Sequence, residues 1–331
     1  MNLTRHWYHN GPTAFLLWPL SWLFCGIAAL RRKRLSAQQS DIKLNVPIIV
    51  VGNISVGGTG KTPMVIWLAE LLRREGCHPG IVSRGYGGKA GVIPTMVTVA
   101  SDAKTVGDEA ILIARRAACP MWIGHDRVFA IQKLLEFHRG IDVIISDDGL
   151  QHYRMPRDIE VVMIDGARRF GNELCLPAGP LREPVSRLEE VDFRVVTGSL
   201  ADDHEYSMEL GGDEIFNLRS SGKQLSLSML QDVPVHAVAG IGNPSRFFMR
   251  LEQAGLKVTR HHFPDHHVYQ PEDLGFGDER MIIMTEKDAV KCSVFADQRF
   301  WYLPVKAQLE RRYERDFLNK LKELGFGQKT A

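Results

Sequence analysis

Gly57, Gly58, Gly60, Lys61 and Thr62 stand together in the run Gly52-Asn53-Ile54-Ser55-Val56-Gly57-Gly58-Thr59-Gly60-Lys61-Thr62-Pro63. Those residue types in that order suit a phosphate chain. Backbone N–H groups from Ser55, Val56, Gly57, Gly58, Thr59 and Gly60 wrap an anion, and glycine permits the close approach. Lys61 reaches β- and γ-phosphate oxygens, and the Thr62 hydroxyl is placed for Mg²⁺, so ATP and Mg²⁺ are the expected ligands. The usual spacing G-x-x-x-x-G-K-[ST] asks for glycine at position 55, where this chain has Ser55. An ordinary strand-to-helix turn with an exposed lysine is the competing reading. The apolar run 48–51 before the glycines and the amphipathic stretch after them favour the nucleotide.

Carboxylates recur at two other places. The run 141–145 reads as a buried strand that delivers Asp147 and Asp148 at its end, hard oxygens of the kind Mg²⁺ prefers opposite a P-loop. Asp-Asp-Gly also makes a plain turn, but beside a P-loop the metal reading is preferred. Asp108 and Glu109 open a helix. Complementing the helix dipole explains Glu109, whereas Asp108 near phosphates is a candidate base for an attacking hydroxyl. Arg127 is either a phosphate clamp or a surface charge. In the rigid loop 176–184, Arg182 and Glu183 put a cation and an anion side by side, able to meet phosphate and metal respectively. The glycine-rich run 84–88 is a ligand loop or a turn, and Lys287 either touches phosphate or forms an internal salt bridge. Four histidines within residues 261–267 invite zinc. No cysteine or second histidine cluster completes such a set, so an exposed turn with one histidine supporting a carboxylate is preferred.

The elements that must position these groups alternate strand and helix, as in an α/β fold. Strands are expected at 48–51, 80–83, 97–99, 121–124, 141–145, 159–164 and 193–196, with helices after Thr62, from about Thr105 and around 129–135. Residues 36–200 form the expected P-loop kinase domain and 201–232 a polar connector with short strands. Residues 233–331 are the expected smaller C-terminal α/β domain, ending in a helix near 309–324. Lys plus Arg number 41 against 39 Asp plus Glu, a balance that gives no reason to invoke nucleic acid. Five dispersed cysteines without a C-x-x-C pair fit reduced thiols.

Residues 14–30 are almost continuously apolar, with Trp18 and Trp22 inside and Arg31-Arg32-Lys33-Arg34 after them. The cations follow the apolar run, which disfavours a cleaved leader and places them on the cytoplasmic side against anionic headgroups. Residues 1–35 are therefore expected to form a membrane-associated helix, interfacial or partly inserted, rather than a core helix.

Taken in order, these motifs resemble the tetraacyldisaccharide 4′-kinases of lipid A biosynthesis. The resemblance rests on 52–63, Ser83-Arg84-Gly85-Tyr86-Gly87, Gly107-Asp108-Glu109 and Asp147-Asp148-Gly149-Leu150-Gln151-His152. It continues through Leu176-Pro177-Ala178-Gly179-Pro180-Leu181-Arg182-Glu183, Phe263-Pro264-Asp265-His266-His267 and Thr285-Glu286-Lys287-Asp288-Ala289-Val290-Lys291, nearly the whole chain. Ser55 is ordinary in that family, whereas Ala110 stands where its members often have proline. The resemblance implies a P-loop NTPase-like domain and transfer of the ATP γ-phosphoryl group to the 4′-hydroxyl of an acylated glucosamine disaccharide 1-phosphate. It implies work at the cytoplasmic face of the bacterial inner membrane, with no obligatory protein partner. It casts Asp108 with His266 as the catalytic pair and Lys61 and Thr62 on phosphate and Mg²⁺. Asp147, Asp148 and Glu183 become the metal shell, and Arg127 and Arg182 neutralise phosphate charge. Since Asp108 and His266 lie in different expected domains, the site is expected to assemble when the domains close. A membrane-associated P-loop ATPase switch is the alternative. Such switches often carry a second lysine just before Gly-Gly, where this chain has Val56.

Overall fold

The computed structural model describes residues 7–8, 11–39, 42–88, 91, 93–198, 201–220 and 222–325. After helix α1 (Pro12–Ser36) come β1 (Ile48–Gly52), α2 (Lys61–Arg74), β2 (Pro79–Ser83), β3 (Thr95–Val97), α3 (Ala103–Val106), α4 (Asp108–Ala117) and β4 (Met121–Ile123). Next are α5 (Arg127–Phe137), β5 (Val143–Asp147), β6 (Ile159–Asp165), β7 (Phe193–Thr197) and β8 (Tyr206–Gly211). The rest is β9 (Glu214–Asn217), β10 (Gln224–Ser226), β11 (Pro234–Ala239), α6 (Pro244–Gln253), β12 (Lys257–His262), β13 (Met281–Thr285), α7 (Glu286–Cys292), β14 (Phe300–Leu303), β15 (Lys306–Leu309) and α8 (Arg311–Glu323).

Two sheets result. A nine-stranded sheet runs β15-β8-β7-β6-β1-β5-β2-β4-β3, parallel except for β15 and β3 at its ends. A six-stranded sheet runs β10-β9-β14-β13-β11-β12. Strand β1 is buried throughout, because parallel strands covered on both faces read as continuous apolar runs. Met64, Val65, Leu68 and Leu72 of α2 cover one face together with Ile49 and Val51, while Ile131 and Leu134 of α5 join Ile48 and Val50 on the other. Val51 stands level with Asp147 of the neighbouring β5. The glycine-rich turn and the paired aspartates therefore leave the sheet at one height, at the carboxyl ends of its strands, where open α/β sheets bind ligands.

The chain crosses between the sheets differently from the expected segments. Strand β8, inside the expected connector, belongs to the large sheet, and β15 returns from the C-terminal side to pair with it. Helix α8 follows it back. Its Tyr313, Phe317 and Leu321 pack in the large sheet's core, where Tyr313 and Phe317 meet the Phe193 ring at 5.3 and 5.8 Å. The physical reason is edge protection: without β15, the outer side of β8 is an unpaired edge. Two local differences also appear. The strand expected at 97–99 is Thr95–Val97, and Lys287, to which no helix was assigned from sequence, lies on helix α7.

Helix α1 touches the body along a narrow seam. Ser21 and Ala14 are its buried residues; Ser21 Oγ donates to the Cys175 carbonyl and accepts from Ala178 N at 3.2 Å. Phe24 and Cys25 pack beside them and Arg32 pairs with Glu190, but another face is apolar and bare, with Phe15, Trp22 and Leu30 each at least 70% exposed. A core helix would not leave that face to water, so the helix is long and apolar enough to cross a membrane and is not a core element.

Candidate active site

The glycine-rich loop is shaped by what surrounds it. Gly52 lets β1 approach the following turn, since a Cβ there would meet Leu150 Cβ at 2.5 Å. Gly57 and Gly60 take φ values of 114° and 87°, the left-handed side that glycine adopts without strain. Below the loop, buried Asn53 donates to the Ser55 carbonyl at 2.7 Å, and its Oδ1 accepts from Lys61 Nζ at 3.3 Å. The 176–184 loop braces the other side: Val56 N donates to Pro180 O at 2.8 Å and Arg182 N to Ile54 O at 2.6 Å. The Val56 N–H, expected to face the phosphates, is thereby spent on Pro180, which leaves the 57–60 amides and Lys61 at the start of α2 for the anion.

The expected metal residues divide into two groups. Asp147 is buried and accepts from Ser83 Oγ at 2.9 Å; burial, then Asp148 and Glu109, push its carboxyl up to about 6. Asp148 has φ 47°. Burial works against its charge, but Lys61, Arg182 and Arg127 together hold its carboxyl below the usual range. Lys61 Nζ and Arg182 Nη1 each lie 3.5 Å from its Oδ1. Glu183 sits deeper. It accepts from Gln151 Nε2 at 2.7 Å and faces Arg187 Nε at 3.4 Å, so in this arrangement its charge is already matched. Arg127 is a buried cation rather than a surface one: Nη1 donates to Gly124 O at 2.5 Å, and desolvation lowers its pKa to about 10 against the attraction of Asp147 and Asp148.

Asp108 is the first residue of α4 and Gly107, at φ 89°, is its cap. The carboxylate lies 3.3 Å from His266 Nδ1, and Lys291 Nζ lies 3.8 Å away. Burial opposes the Asp108 charge, yet His266, Lys287 and Lys291 hold its carboxyl low; the Asp108 hydrogen bond in turn raises the imidazole. His266 adopts φ 60° against Gly87, where a Cβ would sit 3.2 Å from Nδ1. The glycine-rich run 84–88 is thus a wall of the site. Lys287 does make internal salt bridges, to Glu109 at 3.0 Å and Asp265 at 3.2 Å. Glu109, dismissed in sequence as a dipole complement, links the two halves, since it faces Lys287 on one side and bears on Asp147 on the other.

The four clustered histidines do not converge. His261 meets His236 at 2.9 Å, His266 meets Asp108 and His267 meets Asp273 at 3.1 Å. Among the described residues no group of three His, Cys, Asp or Glu side chains is poised to hold a metal. Mg²⁺ does not need such a cage, because it retains waters and binds through one or two carboxylates plus phosphate. The site fits a Mg-nucleotide in other respects. Thr59 Oγ1 is buried without a hydrogen-bond partner beside a glycine cradle. Lys291 and Asn53 escaped the sequence reading. Lys291 stands four residues after Lys287, a spacing that puts the two on one face only once the short helix α7 is known.

A glycine-rich phosphate cradle at the head of a parallel sheet, with acidic strand ends beside it and a separate carboxylate–imidazole pair, defines a P-loop phosphotransferase. The sequence profile of the LpxK family, described as tetraacyldisaccharide-1-P 4′-kinase, matches residues 13–322. The chain belongs to that family. A tetraacyldisaccharide 4′-kinase of Methylobacillus flagellatus is 48% identical over 97% of this chain and 96% of its own length. The Nitrosococcus oceani protein of the same name is 46% identical over 97% of this chain and 94% of its own. The crystal structure of LpxK from Aquifex aeolicus in complex with ATP superposes with a TM-score of 0.75 at 27% identity, covering 93% of this chain and 99% of that one. The chain is accordingly an ATP-using kinase of P-loop architecture, and the ATPase-switch alternative is not favoured.

Proposed function

We propose that this kinase phosphorylates the 4′-hydroxyl of an acylated glucosamine disaccharide 1-phosphate at the cytoplasmic face of the inner membrane, through the residues assigned below. The observation that carries the assignment is the 3.3 Å contact between Asp108 at the head of α4 and His266 after β12, which brings the two sheets together beside the P-loop. Asp108 takes the proton of the acceptor hydroxyl as its oxygen bonds to the γ-phosphorus and the bond to the β-phosphate bridging oxygen breaks, releasing ADP. His266 holds the Asp108 carboxylate in place. Lys61 and the amides of the 57–60 run cradle the β- and γ-phosphates, and Arg127 and Arg182 offset their charge. Thr62, Asp147 and Asp148 would hold Mg²⁺, which supplies positive charge at the phosphate oxygens when bound. Glu183 serves that shell from behind, through Gln151, whose Nε2 also donates to the Asn53 carbonyl at 3.0 Å.

The acceptor arrives from the lipid. The bare face of α1 suits the acyl region, and its closing cations suit anionic headgroups. To the sugar headgroup we assign the open hollow of about 330 Å³ between the end of α1 and the turn after Asp148, lined by Arg31, Leu35, His125, Asp126, His152, Tyr153 and Arg154, in which Asp126 already pairs with Arg154 at 3.0 Å. As domains we take the large sheet with β15 and α8 as the kinase body, and β9–β14 with α6 and α7 as the module that brings His266. Assay of Asp108→Ala and His266→Ala with ATP and the acylated disaccharide phosphate tests the roles. Near-normal turnover in both variants removes the pair.

A further inference from the structure

Two consecutive carbonyls of the glycine-rich loop are drawn away from the phosphate space by side chains outside the P-loop motif. Gly58 O accepts from Arg168 Nη2 at 2.7 Å, and Thr59 O accepts from Thr197 Oγ1 at 2.9 Å. Both donors stand at the ends of strands on the same side of β1. Arg168 follows β6, where Asp165 locks its guanidinium: Oδ2 accepts from Nε at 3.0 Å and from Nη2 at 2.7 Å, while Oδ1 accepts the Arg168 backbone N–H at 3.0 Å. Thr197 is the last residue of β7, buried, and paired in register with Asp165. Tyr8, ahead of α1, lies against the outer side of the same guanidinium.

Peptide geometry turns this into function. In a trans peptide the C=O and the next N–H point in opposite directions. Holding Gly58 O and Thr59 O outward therefore turns the N–H groups of Thr59 and Gly60 inward, toward the space where the nucleotide phosphates lie. The contact is close on both flanks. A Cβ on Gly57 would come within 3.3 Å of Arg168 Nη1, and one on Gly60 within 3.0 Å of Thr197 Oγ1. Glycine-rich loops otherwise have the freedom to turn those peptides over, which exposes carbonyl oxygens to an anion.

We propose that Arg168 and Thr197 are positioning residues for the nucleotide phosphates, acting through the Gly58–Thr59 and Thr59–Gly60 peptides, and that Asp165 presets Arg168 for this task. The proposal rests on the P-loop reading given above and adds residues outside it. Neither side chain is placed on substrate; both fix the direction of backbone donors.

The test is equilibrium ATP binding in the absence of lipid, read by calorimetry with Mg²⁺, alongside full kinetics and thermal melting of the nucleotide-free protein. Arg168→Ala and Thr197→Val each weaken ATP binding about tenfold, since each frees one charge- or hydroxyl-held peptide. Thr197→Ser restores near-normal affinity, Arg168→Lys restores part of it, and the KM for the acylated acceptor stays within twofold. Lys61→Ala is the control. If Lys61→Ala leaves ATP affinity unchanged, the P-loop reading itself fails. If Lys61→Ala weakens ATP binding but Arg168→Ala and Thr197→Val stay within twofold of the parent, this proposal is overturned and the P-loop reading stands. A loss shared equally by ATP affinity, acceptor KM and melting temperature, with no rescue by Thr197→Ser, also overturns it in favour of a general structural role.

Discussion

Val51 and Asp147 stand side by side in register on adjacent parallel strands, so the phosphate loop and the acidic pair are set by the same sheet. Lys61 then spans the gap, 3.3 Å from Asn53 Oδ1 and 3.5 Å from Asp148 Oδ1. Removing the ammonium with Lys61→Ala takes charge from the transferring group and lowers kcat by about 10²–10³-fold. Steady-state kinetics at saturating ATP checks this, and a loss below fivefold contradicts it.

The interface of α4 with α7 is the hinge on which the two sheets are registered. Arg116 Nη1 donates to Glu286 Oε2 at 2.9 Å, and Lys287 reaches Glu109 one helical face away. Burial raises the Glu286 carboxyl, against the pull of Arg116. Arg116→Ala strands that carboxylate and costs about 1–3 kcal/mol, whereas pairing it with Glu286→Gln returns part of the loss. Urea denaturation of the two variants measures both. Equal destabilisation by the single and double variants contradicts the pairing.

A second prediction of stability concerns acid. His236 is buried, accepting or donating at 2.9 Å with His261 and at 3.1 Å with Asp278, while Phe276 stacks on His261 at 3.8 Å between ring centroids. Burial, then His236 and Arg280, hold the His261 imidazole below its ordinary 6.5. The unfolded chain therefore takes up this proton first as pH falls. The contribution is fully present above pH 6.5 and is lost below it. Melting temperatures from pH 7.5 to 5 fall in the parent, and His261→Gln flattens that part of the profile.

Much of the site was legible because phosphate chemistry writes itself into short local runs. Residues 52–63, Asp147-Asp148 and Asp108 were each readable from a strand end followed by the needed side chains. What was not legible depended on contacts distant in the chain. Helix α7 is only Glu286–Cys292, too short for periodicity to outvote its polar composition, although Thr285 is its cap and accepts from Asp288 N at 3.2 Å. The return of β15 and α8 to the large sheet is set by the open edge of β8 and by Phe193, neither of which marks the sequence of 306–323. Arg168 and Thr197 look like ordinary strand-end residues until Gly58 and Thr59 are placed beside them.

The bare face of α1 yields a further expectation. Trp18, Trp22 and Leu23 are exposed at 45%, 71% and 61%, and each such side chain gains roughly 1.5–3 kcal/mol on leaving water. Trp22→Ser with Leu23→Ser weakens binding to anionic phospholipid vesicles at least tenfold in a sedimentation assay. Lys61, the P-loop and ATP affinity are untouched. Vesicle binding equal to the parent's contradicts an anchoring role for this face.

The central claim is that Asp108 and His266 act as one unit on the acceptor hydroxyl. An imidazolium beside a carboxylate weakens it as a base, and Asp108 raises the His266 imidazole above 6.5, so kcat/KM climbs as pH passes through that raised value. The most direct measurement is the pH profile of kcat/KM for the acylated disaccharide phosphate in the parent, Asp108→Ala, His266→Ala and the double variant. Loss of about 10²–10⁴-fold on removing Asp108, disappearance of the rise in His266→Ala, and a double variant no worse than Asp108→Ala are the predicted results. Retention of the rise without His266, or losses that multiply in the double variant, would contradict the account.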